Sequence, residues 1–203
     1  MQGIQQEIEG RDSVRAVVVF ALCCGERSLP VCRLGVSDPA WLRACLDRSW
    51  AALADGSKVD LQELSSVGSD IRDSLEDADY GRYHMAVFDA ITVIGHAVSC
   101  AGQATPGISR EEAKMASAGM LRMLQGVHFE QYGRFDGWQL HESVSRELAW
   151  QKQDLALSSA ETGARSVEAT RIRASRQGQM LVDGVVSGEW SGFVPPDDWP
   201  TLF

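Results

Sequence analysis

The stretch of this sequence that most restricts the possible folds is the run from Val18 to Cys32, which reads VVFALCCGERSLPVC. The apolar residues of 13–24 predict a buried helix, although the β-branched residues in it would also suit a strand. Gly25 is typical of a helix end, and Pro30 does not readily continue a helix. We therefore expect the helix to stop near Gly25, with Glu26 and Arg27 in the following loop. There the two charges would form a structural ion pair or, alternatively, belong to an active site.

Apolar residues at spacings of three and four predict helices along most of the remaining chain. The segment from Tyr83 to Ala101 is apolar on nearly all sides, so we expect it to be the central core helix. After it, 105–107 predicts a break, and Ser109 with Glu112 fits a capping box at the start of the next helix. Together these patterns predict an all-α, single-domain bundle of about six or seven helices.

The C-terminal residues differ in character from the rest of the chain. Asp183-Gly184 between two short apolar runs predicts a two-residue hairpin. A lone hairpin is marginally stable in water, so its apolar neighbours need burial elsewhere. We expect a helical bundle over 1–178 and a C-terminal extension over 179–203 docked on it; a disordered or partner-bound extension is the alternative. The large apolar residues of this extension are Trp190, Phe193, Trp199, Leu202 and Phe203.

The charge of the chain restricts its partners. With 28 acidic and 19 basic residues, the net charge is -9, which disfavours nucleic acid and anionic membranes and favours a basic protein. The acids are densest within 58–80, which lacks the glycine-centred spacing of a calcium loop. We predict that this segment binds the partner; a solvated acidic face is the alternative. The predicted partner-binding residues are Asp70, Asp73, Glu76, Asp77 and Asp79.

Other signals point to the cytoplasm. The N-terminus lacks a basic region followed by a long apolar run, and the longest apolar runs are about ten residues, whereas a bilayer span needs roughly 20. The chain has five cysteines, and two of them, Cys23 and Cys24, are adjacent. An odd count and an adjacent pair do not suit a set of disulfides, so they favour reduced, buried thiols. From the N-terminus and the cysteines we expect a cytoplasmic protein. No metal-ligand spacing occurs, so we expect no metal or cofactor.

Four segments resemble the bacterial domain of unknown function family 416, which has no established activity. The chain departs from the family after Pro30, where Val31 and Cys32 stand in place of a common aromatic residue, and the tail after Gly178 has no counterpart. The resemblance implies an all-helical cytosolic bacterial fold and carries over no catalytic residues. It spans about 14–160, and its segments are Ala21–Pro30, Leu46–Leu53, Tyr83–Ala90 and Glu147–Gln151.

A polar stripe on the predicted central helix is the candidate pocket. Asp89, Thr92 and His96 lie three and four residues apart, and Ser99 and Gln103 continue the stripe. On a helix these spacings place the side chains on one face. The stripe would line a ligand pocket or, alternatively, face solvent or form hydrogen bonds within the core.

Two classes of function remain. No catalytic motif specifies an activity, so a binding protein is favoured over an enzyme. Because many toxins that attack nucleic acid are basic, an acidic cytosolic chain fits an immunity protein that neutralises a bacterial toxin by direct binding. The alternatives are a small-molecule-binding protein or enzyme that uses the polar stripe, and a regulatory bacterial protein of the same family.

Overall fold

The computed structural model describes residues 2–55, 61–73, 83–103, 105–133, 139, 141–158 and 164–187. Within these ranges the chain is an all-α helical domain without strands, which confirms the predicted fold class. The described residues form eight helices rather than six or seven. They are α1 Gln2–Glu9, α2 Val14–Cys32, α3 Ala40–Asp55, α4 Leu61–Asp73, α5 His84–Ala101, α6 Pro106–Tyr132, α7 Glu142–Ser158 and α8 Ala164–Ser187.

Two helices make up the centre of the bundle. In α2 every residue from Ala16 to Cys32 is buried, and the helix packs against α3, α5, α6, α7 and α8. The predicted core helix, α5, also lies in the core and packs mainly on α6, α2 and α4, but it exposes Met85 and Phe88. By length and composition alone α5 is apolar enough to cross a membrane, yet 67% of it is buried inside the bundle.

The predicted end of the first core helix at Gly25 is wrong, because α2 continues for another two turns and contains Pro30. Gly25 serves close packing instead: a Cβ there would lie 2.9 Å from Leu46 Cδ2 and 3.0 Å from Ala97 Cβ. The hydroxyl of Ser28 donates to the carbonyl of Gly25 at 2.9 Å within the same stretch. Tertiary packing therefore overrides both local signals, and it places Glu26 and Arg27 inside a buried helix.

The predicted capping box is also wrong. Helix α6 begins at Pro106 with Thr105 as its N-cap, so 105–107 starts the helix instead of breaking the chain. Proline is favoured in this first turn because its missing N–H would have no helical partner there. Ser109 is buried and donates its hydroxyl to the carbonyl of Thr105. The carboxylate of Glu112 is thereby left for contacts with other helices.

The predicted hairpin is wrong as well, because α8 continues as a helix through Asp183 and Gly184 to Ser187. The expected boundary at 178 therefore falls inside a helix. Gly178 permits a close crossing: a Cβ there would lie 2.6 Å from the carbonyl oxygen of Arg27. Residues 188–203, the remainder of the expected docked extension, lie outside the described residues.

Candidate functional site

The acidic segment lies on and after α4. Asp70 is exposed on α4, and Asp73 is the last residue of that helix. Glu76, Asp77 and Asp79 lie outside the described residues, so the structure does not test whether the five carboxylates form one face. Glu63 and Asp70 are both exposed and lie seven residues apart, which places them on the same side of α4.

The one basic residue within 60–79, Arg72, extends into the bundle. Its Nη1 donates to Ser99 Oγ at 3.0 Å and lies 3.6 Å from Glu112 Oε2, and its Nη2 donates to Ser69 Oγ at 3.2 Å. Asp70, two residues earlier, is on nearly the opposite side of the helix. Arg72 therefore pairs with a carboxylate inside the bundle. On the outer side of α4, Glu63 pairs with Arg48 of α3 at 2.8 Å, and Asp70 is exposed.

A close helix crossing fixes the orientation of α4. A Cβ on Gly68 would lie 2.6 Å from the backbone nitrogen of Ser99, and a Cβ on Gly95 would lie 2.7 Å from Arg72 Cγ and 3.0 Å from the carbonyl oxygen of Gly68. Only glycine at both positions lets the two backbones approach so closely. Because this crossing prevents rotation of α4, Asp70 is held on the outside.

The side chains of the polar stripe on α5 form hydrogen bonds with different partners. Asp89 accepts a hydrogen bond from Arg122 Nε of α6 at 3.1 Å, and burial raises the pKa of its carboxyl group although Arg122 acts in the opposite direction. Thr92 donates its hydroxyl to the carbonyl of Phe88 in its own helix. These contacts fit the hydrogen-bonded alternative better than a ligand pocket.

Further along the stripe, His96 takes part in a cluster between three helices. Its Nδ1 lies 2.7 Å from Glu112 Oε2 of α6, and the same carboxylate faces Arg72 of α4. His96 is nearly buried, and Ser99 beside it is the acceptor for Arg72. Asp89 and His96 thus bind different partners on α6, and the structure does not bring them together as an acid–base pair.

Glu26 forms a second polar centre at the contact of α2, α3 and α8. Its fully buried carboxylate accepts from Arg43 Nη1 at 2.8 and 2.9 Å, from Trp50 Nε1 at 2.9 Å and from Arg171 Nε at 3.2 Å. Asp47 pairs with both arginines at the rim. An open pocket of about 370 Å³ lies above, between α3 and α8. The lining also includes Glu168 and Arg176. With Asp47 at the rim, three arginines face three carboxylates, so this pocket has no excess charge to select an ionic ligand.

Arg27 forms a third centre on another side of α2. Its Nε donates to Glu147 Oε2 at 3.0 Å, its Nη1 donates to Asp154 and to Gln177 Oε1, and all three charged side chains are fully buried. Burial lowers the pKa of the guanidinium, but Asp154 and Glu147 together raise it well above its ordinary value. Burial also raises the pKa of Glu147 despite Arg27. The network joins α2 to α7 and α8.

The predicted ion pair of Glu26 and Arg27 in a loop is wrong, because both residues lie inside α2 and each pairs with side chains of other helices instead. Glu147 is 120 residues from Arg27, and Gln177 is 150 residues away, so no local spacing signals the contact. One signal was present: Arg27, Trp50 and Glu147 each belong to a different segment of the resemblance to family 416. Their convergence on α2 shows that these segments are linked by packing.

The cysteines show no sign of activated thiols. Burial raises the pKa of Cys32 to about 12, and it also raises the pKa values of Cys23, Cys24 and Cys100. Cys45 is half-buried, and burial raises its pKa too. All five are free thiols. Among the described residues no group of three or more His, Cys, Asp or Glu side chains is arranged to hold a metal ion.

Comparisons of the chain with protein-family profiles, with curated proteins and with solved structures find no match. The resemblance to family 416 therefore stays a prediction that rests on the four segments named above.

Proposed function

We propose that this chain is an acidic cytoplasmic binding protein that captures a basic protein partner, and that the partner is a cognate toxin domain neutralised in the manner of an immunity protein. We also propose that the chain belongs to family 416, which it resembles in the four segments named above. Membranes and nucleic acids are not proposed as partners, because the net charge of -9 repels anionic surfaces.

The observation that carries the proposal is the asymmetry of α4. Residues 60–79 contain seven acids and one base, a net charge of -6, which is two-thirds of the net charge of -9 for the whole chain. The single base, Arg72, is directed inward to Ser99 and Glu112, while Asp70 is exposed. The positive charge of Arg72 is therefore directed away from the exposed Asp70, and the nearest described counter-charge on that side, Arg48 of α3, pairs with Glu63 at 2.8 Å.

Such a surface acts mainly on the association rate. A concentrated negative field attracts a basic partner before contact and orients it, and salt screens this attraction over about 8–10 Å at physiological ionic strength. Dissociation depends more on the close contacts formed afterwards. The proposal therefore predicts that salt slows association steeply and changes dissociation less.

The test uses the protein encoded beside this gene as the candidate partner, with association and dissociation rates measured at several salt concentrations. The double variant Asp70→Lys with Asp73→Lys should slow association at low salt by about tenfold or more, since steering contributes factors of this size. Its dissociation rate should change less than its association rate.

A matched control separates local from overall charge. Glu168→Lys with Asp183→Lys makes the same change of total charge at exposed positions of α8. We expect this control to bind with nearly the association rate of the unaltered chain. Equal slowing in both double variants would remove α4 as the contact face, and failure of the neighbouring protein to bind would contradict the immunity role.

The alternative of a ligand pocket or active site on α5 has less support. Asp89, Thr92 and His96 contact Arg122, Phe88 and Glu112 respectively. Three side chains that are each committed to a structural partner are poorly placed to act on one ligand.

A further inference from the structure

A groove between α7 and α8 is a partly apolar feature of the described surface that the proposed function does not use. It has a volume of about 590 Å³, and its apolar lining includes Trp150, Ile172 and Met180. Ile172 and Met180 are 43% and 49% exposed. Neighbouring large apolar side chains with this exposure are typical of a surface that another segment covers.

The walls of the groove are held in place by polar bridges. Both helices pack on α2. Arg173 Nη2 of α8 donates to Asp154 Oδ1 of α7 at 2.9 Å, and Gln177 Nε2 donates to Gln153 Oε1 at 3.4 Å. Because Asp154 is also bound to the buried Arg27, the groove is a fixed part of the bundle.

The groove also carries unused donors. Arg173 Nε is buried and has no hydrogen-bond partner within the described ranges. Arg176 lines the groove as well, and its guanidinium forms no ion pair with any other described residue. Arg173 Nε itself is sealed from the groove, but the rest of the Arg173 side chain is partly exposed and Arg176 is exposed. An occupant that supplies carboxylate oxygens would therefore fit better than a purely apolar one.

Residues 188–203 of the same chain have the complementary composition. They contain three acids and no base, which gives a net charge of -3. The acids are Glu189, Asp197 and Asp198, and the large apolar residues are Trp190, Phe193, Trp199, Leu202 and Phe203. The aromatic groups of this segment could pack on Trp150, Ile172 and Met180, and its carboxylates could pair with Arg173 and Arg176.

The position of this segment allows it to reach the groove. It follows Ser187 directly, and Met180 and Ile172 lie roughly 10 and 22 Å back along α8 at 1.5 Å per residue. Sixteen residues span up to roughly 50 Å when extended. The segment is therefore long enough to turn after α8 and cover the whole groove.

We propose that residues 188–203 occupy the groove between α7 and α8, with their aromatic side chains on Ile172 and Met180 and their carboxylates on Arg173 and Arg176. This intramolecular contact is independent of the proposed function, which uses α4.

Photo-cross-linking of the full chain tests the contact. Phe193 or, separately, Trp199 is replaced by p-benzoylphenylalanine, the chain is irradiated, and the cross-linked peptides are identified by mass spectrometry. We expect cross-links within single chains to Met180, Ile172 or Trp150. Cross-links confined to other faces of the bundle, covalent dimers that place a second copy in the groove, or the absence of cross-links would each overturn the proposal.

Variants of the groove test its chemistry. Ile172→Asp with Arg176→Glu should lower the ratio of docked to free segment about tenfold, a loss of about 1.4 kcal/mol. The matched control Ile108→Asp with Arg33→Glu alters an isoleucine of similar exposure on α6 and an exposed arginine after α2, and it should leave the cross-links unchanged. Equal cross-linking in both variants would also overturn the proposal. The map in the otherwise unaltered chain decides the question even if a variant fails to fold.

Discussion

Glu26 and Arg27 are neighbours in α2, yet their surroundings differ in access to water. Arg27 is a cation between two carboxylates, and the side chains of Arg27, Glu147 and Asp154 are all 0% exposed. Glu26 is an anion between two guanidinium groups, and those of Arg43 and Arg171 are 32% and 24% exposed. The charge patterns are mirror images, but only the partners of Glu26 can turn to water when the central charge is lost.

The largest loss of stability is expected in the fully buried cluster around Arg27. Arg27→Met keeps an unbranched side chain of similar length but leaves the carboxylates of Glu147 and Asp154 buried without their shared cation. Breaking a buried ion pair in this way costs about 3–5 kcal/mol. Urea denaturation monitored by circular dichroism measures the loss. Arg173 also donates to Asp154, and Gln151 to Glu147. A loss below about 1 kcal/mol would mean that these donors or water compensate for the missing cation.

A smaller loss is expected on the side that opens to water. Glu26→Gln keeps an acceptor for Trp50 Nε1 but removes the charge that faces Arg43 and Arg171. Because both guanidinium groups are partly exposed and also pair with Asp47, we expect a loss of about 1–2 kcal/mol in the same denaturation assay. If Glu26→Gln costs as much as Arg27→Met, the difference in water access does not govern stability.

The smallest expected effect is a change in pH dependence. Burial raises the pKa of Glu147 above its value in the unfolded chain, so the folded state binds more protons than the unfolded state between the two pKa values. The stability from this shift is present below the unfolded pKa of about 4.3 and is lost as the pH rises through the folded pKa.

Glu147→Gln should remove that component. Glutamine is a neutral counterpart of the protonated carboxyl group. The free energies of unfolding of the two proteins, measured from pH 4 upwards, should therefore be most alike at low pH, and the unaltered chain should lose stability relative to the variant as the pH rises if only this titration is changed. Gln153→Glu, on an exposed position of α7, is a control for adding a carboxylate at the edge of the same network. A difference between Glu147→Gln and the unaltered chain that stays constant with pH would show that Glu147 titrates alike in both states.

Helical periodicity was sufficient for the fold class but not for several boundaries. The Asp183-Gly184 signal for a hairpin is local, whereas Ala174, Leu181 and Val185 are buried at helical spacings that continue across it. Packing of this face on α2 outweighs the turn preference. At Gly25, likewise, contacts with Leu46 and Ala97 from other helices decide the conformation.

The candidate sites were less accessible from sequence. The exposure of Asp70 could be predicted from its charge, but the inward direction of Arg72 depends on Ser99 and Glu112, which lie on other helices. Likewise, the spacing of Asp89 and His96 predicts a shared face, and only the packing of α6 shows that each has its own partner there. Which side chains meet is decided by helix packing over long sequence separations.

The contact between Arg27 and Gln177 has a consequence for the order of events during synthesis. The two residues are 150 positions apart, so α2 is made long before its last partners exist. At about 5–20 residues per second, roughly 8–30 s pass between them. During that interval an apolar helix carrying an incompletely paired arginine is part of the nascent chain, and truncated chains that lack α8 would present this surface to one another. Aggregation of incomplete chains, rather than of the finished protein, is the hazard that a buried central helix near the N-terminus creates.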